Sequence, residues 1–166
     1  MKSFLADFWR NEDADRLVAF GSGGDHRLAE MRRDVARVMQ ELRQHDGAAP
    51  LLFVFREDRY LFSVSMLAAW SLGRSIALPP NTRRDTVGEL LQSGALGVML
   101  HDLESEAGIP IRPLCQGDSS APIEAFPAHF ETWDDADALA AILYTSGSTR
   151  LLPRRVRNPP LSYLRK

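Results

Sequence analysis

Three features of this sequence predict an α/β fold built on a partial, doubly wound parallel sheet with flanking helices. Short apolar runs recur at residues 51–55, 75–78, 96–100 and 139–144, and continuous runs of this length suit strands buried on both faces. Between them lie stretches whose apolar residues step by three and four, the period of a helix with one buried stripe. Glycine or proline stands where the pattern changes, at Pro50, Gly73, Pro79, Pro80 and Gly94. A regular succession of strand and helix of this kind argues for parallel strands joined by crossovers.

Residues 1–24 have no sustained period and end in Gly21-Ser22-Gly23-Gly24. This glycine cluster reads as a turn and not as a phosphate loop, because no buried strand leads into it. From Leu28 a stripe of Leu28, Met31, Val35, Val38, Met39 and Leu42 predicts a helix, with Arg32, Arg33, Arg37, Glu41 and Arg43 on its solvated face. The strand at 51–55 follows, and then a helix over residues 61–72, apolar nearly all round, with Asp58 as N-cap and Gly73 as its left-handed stop. After the strand at 75–78, Thr82 and Asp85 suggest a capping box for a helix through Val87, Leu90 and Leu91 to Gly94. Residues 96–100 read as another strand, and 109–114 as a further one. Residues 116–137 form a long acidic connection, in which Asp134, Asp135 and Asp137 read as a solvated turn and not as a metal site.

Composition sets the class. The chain has 166 residues, 45% apolar and 25% charged, which suits one ordinary globular domain with a real core. No apolar run approaches the roughly eighteen residues of a membrane helix, and the start lacks the apolar stretch of a secretory signal, so the sequence predicts a cytoplasmic protein with no membrane partner. The single Cys115 permits no internal disulfide and reads as a buried structural thiol. The near-neutral net charge of −2 hides an asymmetry. Residues 150–166 hold six basic side chains, no acid and three prolines, leaving a formal −8 on the rest. Such a tail reads as irregular. It could contact an acidic partner, although nucleic acid is not the expected one; a shifted reading frame in GC-rich DNA produces the same composition.

The strongest chemical signal is Tyr144-Thr145-Ser146-Gly147-Ser148-Thr149, entered directly from the apolar run 139–143. A loop of small hydroxyls around one glycine can turn backbone N–H groups and hydroxyl donors toward one anionic oxygen, with no side chain in the way at the glycine. The run resembles the phosphate loop of the adenylate-forming (AMP-binding) superfamily: acyl-CoA synthetases, peptide-synthetase adenylation domains and luciferases. That loop reads roughly Tyr-Thr-Ser-Gly-Ser-Thr-Gly-x-Pro-Lys-Gly. Six positions agree before Arg150 replaces the next glycine, and Pro153-Arg154, which is similar to the Pro-Lys pair, is displaced by one residue. The helix at 28–42 and the block Leu67-Ala68-Ala69-Trp70-Ser71-Leu72-Gly73-Arg74-Ser75-Ile76-Ala77-Leu78-Pro79 are similar to earlier parts of the same domain.

The resemblance divides the chain into an N-terminal segment at 1–25, a partial AMP-binding domain at 26–149 and the basic tail at 150–166. It implies ATP and Mg2+ as cofactors, and a carboxylic acid with coenzyme A or an acyl carrier protein as partners. It also implies contacts from Thr145, Ser146, Gly147, Ser148 and Thr149 to the leaving phosphates. The family's magnesium-binding glutamate, ribose-binding aspartate and catalytic lysine have no counterpart here, so the expectation is a truncated ligase without activity as an isolated chain and with no catalytic residue to assign. A sheet cut short also predicts self-association through an exposed edge at 139–144, unless the acidic connection or the tail covers it. Two other readings stay open: a non-catalytic α/β binding or interaction protein using the basic tail, and a Ser/Thr-rich turn in an unrelated flavodoxin-like domain.

Overall fold

The computed structural model describes residues 13–20, 24–45, 47–103, 107–116, 139–146 and 151–157. Its elements run β1 (Leu17–Ala19), β2 (His26–Arg27), α1 (Leu28–Leu42), β3 (Leu51–Val54), α2 (Arg59–Ser71), β4 (Ile76–Leu78), α3 (Arg84–Gln92), β5 (Met99–His101), β6 (Ile109–Pro110), α4 (Ile111–Gln116), β7 (Leu139–Ser146) and β8 (Leu151–Arg157). β1 and β2 pair antiparallel as a small separate sheet. The other six strands form one sheet in the order β6-β5-β3-β4-β7-β8, parallel except for β8, which runs antiparallel to β7.

Alternation along β3 shows why the run is apolar throughout. Leu51 and Phe53 join one core with α1, α2 and α4, while Leu52 and Val54 join a second with Val87 and Leu90 of α3. All four are at most 2% exposed, so neither face tolerates a polar residue. Phe53, Phe55 and Phe62 meet edge to face with centroids 5.6–5.7 Å apart, which fastens α2 to the strand it follows.

Local signals place the helices well. The stripe from Leu28 to Leu42 is buried as read, and Glu30 accepts from the Arg27 N–H at the start of α1. Asp58 caps α2 by accepting from the Leu61 N–H at 3.0 Å, and Gly73 beyond its end has φ +67°. α3 begins differently from the Thr82 and Asp85 pattern. Its N-cap is Arg83, without a side-chain cap, and the Arg83 N–H donates to Asn81 Oδ1.

Other expectations fail. Residues 109–114 are not one strand: Ile109–Pro110 pair with β5 and the chain then turns into α4. Pro113 fits there because the first helical turn needs no N–H from it. The segment before residue 25 carries β1, too short to show a period. The tail is not irregular throughout, since residues 151–157 form β8. Its pairing covers the β7 edge expected to be open, and β4 holds the other. β8 is the edge strand of the sheet, and its sequence holds Pro153 and three arginines, residue types that edge strands ordinarily tolerate.

Between α1 and α2 lies a nearly buried acid. Asp34 accepts from Tyr60 Oη at 2.7 Å and from Arg37 Nη1 at 3.2 Å, and Arg37 Nη1 also reaches the Cys115 carbonyl of α4. Burial nevertheless wins over both bonds and pushes the Asp34 carboxyl above its ordinary range. A raised carboxyl contributes stability below its unfolded pKa and loses it as pH rises through the folded value. Asp34→Asn is therefore expected to melt at or slightly above the wild-type temperature at pH 7, with the gap narrowing by pH 4.5. Tyr60→Phe, which removes a donor from the same carboxylate, is expected to cost about 1 kcal/mol in a denaturant titration at pH 7.

Candidate functional site

Parallel strands deliver their carboxyl ends to one edge of the sheet, and the loops there build the candidate site. α2, leaving β3, packs on one face, while α3, leaving β4, packs on the other. Strand order reverses at β3, with β4 on one side of it and β5, reached through the α3 crossover, on the other, so the switch point at which open α/β sheets bind their ligands lies between β3 and β5. An open groove of about 1150 Å³ lies at this end, with Arg56, Thr82, Arg84, Asp102, Leu103 and Arg112 among its lining.

Asp102, just past β5, organises the groove. Its carboxylate accepts from the backbone N–H groups of Arg56, Glu57 and Asp58 at 3.0–3.1 Å. Burial alone would raise its pKa, but the three N–H donors prevail and hold it below the usual carboxylate range. The same loop then reaches sideways. Arg56 donates from Nε to Thr82 Oγ1 at 3.2 Å and from Nη2 to the Thr82 carbonyl at 3.0 Å. A strap of hydrogen bonds therefore joins the ends of β5, β3 and β4 in spatial order. The N–H nest at the start of α2 is filled by the protein's own anion. Arg112 completes the wall through an ion pair with Asp58 at 3.3 Å.

The hydroxyl run belongs to the next strand over. Thr145 is exposed near the end of β7, and Ser146 is the last residue of that strand, paired with Leu151. Gly147, Ser148 and Thr149 lie outside the described residues, as do Asp134, Asp135 and Asp137. The structure thus places the beginning of the run at the carboxyl end of the parallel sheet. Among the described residues no three His, Cys, Asp or Glu gather to hold a metal ion. Cys115 lies half-buried on α4, and burial, followed by the nearby Asp34 charge, pushes its thiol up to about 12. Almost no thiolate exists there near neutral pH, which fits a structural thiol and not a nucleophile.

Asp102 and Arg56 escaped the sequence reading. Their bonds span 26 to 46 residues, and no local pattern marks an acid at a strand end as the anchor of another loop. A second cavity, of about 520 Å³, lies beside the β1–β2 hairpin, lined in part by His26 and Tyr60. These rings stack at 3.6 Å and 8°.

No family model matches the sequence, and no curated protein matches it. Solved structures do. The N-terminal subdomain of Klebsiella oxytoca NpsA, in complex with 3-hydroxybenzoyl-AMSN, superposes with a TM-score of 0.70 at 18% identity, over 95% of this chain and 41% of that one. O-succinylbenzoate coenzyme A synthetase (MenE) from Bacillus subtilis, in complex with AMP, gives 0.67 at 20% identity, over 95% and 42%. Apo MatB from Rhodopseudomonas palustris gives 0.62 at 19%, over 99% and 36%. The chain has the fold of the N-terminal subdomain of adenylate-forming enzymes and spans about two fifths of the length of these structures. Among its described residues no helix is long and apolar enough to cross a membrane.

Proposed function

We propose that this chain supplies the phosphate-binding N-terminal portion of a cytoplasmic ATP-dependent carboxylate ligase, and that it does not activate an acid by itself. One observation carries the reading. The run beginning Thr145-Ser146 leaves β7 at the carboxyl edge of a parallel sheet whose fold is that of adenylation subdomains. Thr145, Ser146, Gly147, Ser148 and Thr149 are the proposed contacts to the β- and γ-phosphates of ATP. Small donors fixed before the reaction can stabilise charge growing on departing pyrophosphate without reorganising. The exposed Thr145 suits an anion, and Mg2+ would arrive bound to the nucleotide phosphates. The partners of such an enzyme are a carboxylic acid and a thiol acceptor, coenzyme A or a carrier protein.

The purified chain is expected to bind inorganic tripolyphosphate, and Thr145→Ala with Ser148→Ala to weaken that binding at least about tenfold, since each hydrogen bond to a charged ligand is worth about 1.5–3 kcal/mol. No acid-dependent exchange of pyrophosphate into ATP is expected. Exchange that disappears in the double variant would show a more complete site than proposed. One observation favours the interaction-protein reading: β8 caps β7, so the body does not depend on further strands at that edge. Cooperative unfolding of a monomer that ignores tripolyphosphate would favour it. Salt-sensitive, sequence-independent binding to nucleic acid would then identify the tail as the contact.

A further inference from the structure

The hydroxyl run leaves the sheet held by a single neighbour. β7 pairs with β4 through Ala141, Ile142 and Leu143, opposite Ile76, Ala77 and Leu78, where β4 ends. Beyond this point Tyr144, Thr145 and Ser146 pair with Pro153, Leu152 and Leu151 of β8, and among the described residues no other strand lies against them. The root of β7 is fixed independently. Ile142 is buried in the second core, and Trp70 Nε1 on α2 donates to the Ala140 carbonyl at 3.1 Å. The core therefore positions the strand up to Leu143 and also packs against Tyr144, and among the described residues β8 is the one strand paired with Thr145 and Ser146.

We propose that β8 is the positioning element for Thr145 and Ser146, so that anion binding there and the pairing of β8 with β7 are energetically coupled. The proposal rests on the phosphate-loop reading above and adds a regulated edge strand to it. Coupling is reciprocal: whatever loosens β8 weakens the anion, and the anion tightens β8. β8 is open to such control because it is the edge strand of the sheet.

The test separates the two layers. Leu143 and Arg154 stand directly opposite in the ladder, within the span a disulfide bridges in an antiparallel pair. In a Cys115→Ser background, Leu143→Cys with Arg154→Cys supplies a lock, and Val156→Pro weakens β8 when the lock is open. Tripolyphosphate affinity is expected to fall about tenfold in the reduced protein and to return on oxidation, within the ordinary range of coupling between sites. In the wild type, tripolyphosphate is expected to slow amide exchange across residues 151–157. Equal affinity in the reduced and oxidised forms, or unchanged exchange in a wild type that binds, would overturn the proposal and leave the phosphate reading standing. A wild type that does not bind tripolyphosphate, or a Thr145→Ala variant that binds it as well, would overturn the reading and the coupling with it.

Discussion

Asp102→Ala is expected to destabilise the protein by about 2–3 kcal/mol, the largest effect of any single polar substitution at the carboxyl edge. Each of the three N–H groups it leaves unpaired costs roughly 1–3 kcal/mol if sealed from water. Arg56 and Glu57 are exposed and Asp102 is only half-buried, so water recovers much of that cost and the three penalties do not simply add. The Asp58–Arg112 ion pair cannot compensate, because partly exposed pairs contribute about 1 kcal/mol or less. Asp102→Asn, which keeps one acceptor, should fall between. pH distinguishes charge from shape. A carboxyl whose folded pKa is depressed contributes stability above its unfolded pKa, about 3.9, and loses it as pH falls through the lower folded value. The difference between wild type and Asp102→Asn should be flat from pH 5 upward and shrink below pH 4 in denaturant titrations. A difference unchanged down to pH 3 would mean that the charge is not what the N–H nest holds. Asp34, with its raised carboxyl, works in the opposite direction, so the two acids together predict a broad stability maximum.

What the sequence discloses about the fold follows the range of the interactions involved. α1 is legible because its stripe repeats over fifteen residues, and the Asp58 cap because an N-cap acts three positions away. β3 is legible because burial on both faces leaves only apolar choices. α4 is misread as a strand since its six residues, Ile111-Arg112-Pro113-Leu114-Cys115-Gln116, are too few to show a helical period and follow directly on the paired Ile109–Pro110. β1 and β2 are too short for any pattern. At the site, the hydroxyl run is visible because its chemistry is contiguous. The strap from Asp102 through Arg56 to Thr82 is invisible, as it exists only once three strand ends lie side by side.

β8 is the instructive case, because composition speaks against structure there and pairing overrides it. Its proline and arginines lower any intrinsic tendency to form a strand, yet an edge position tolerates both. The energetics are finely balanced. Ordering a residue costs about 1–2 kcal/mol of backbone entropy, while a net hydrogen bond returns about 0.5–1.5 kcal/mol. The seven-residue strand therefore contributes little net stability through its own ladder, and its larger effect is to cover β7. Deleting residues 151–166 is thus expected to lower the melting temperature only modestly while exposing eight residues of β7, among them Ile142 and the 38% exposed Leu143, along an open edge. Sedimentation should show the wild type as a smaller species than the deletion variant, which is expected to associate at micromolar concentration. Adding Ile142→Lys to the deletion would unfold the second core and so cannot separate association from misfolding. Leu143→Lys can, because that side chain is already half exposed and a charge at an edge opposes pairing. A deletion variant that stays monomeric without Leu143→Lys would show that β8 is not what covers the edge of β7 in solution.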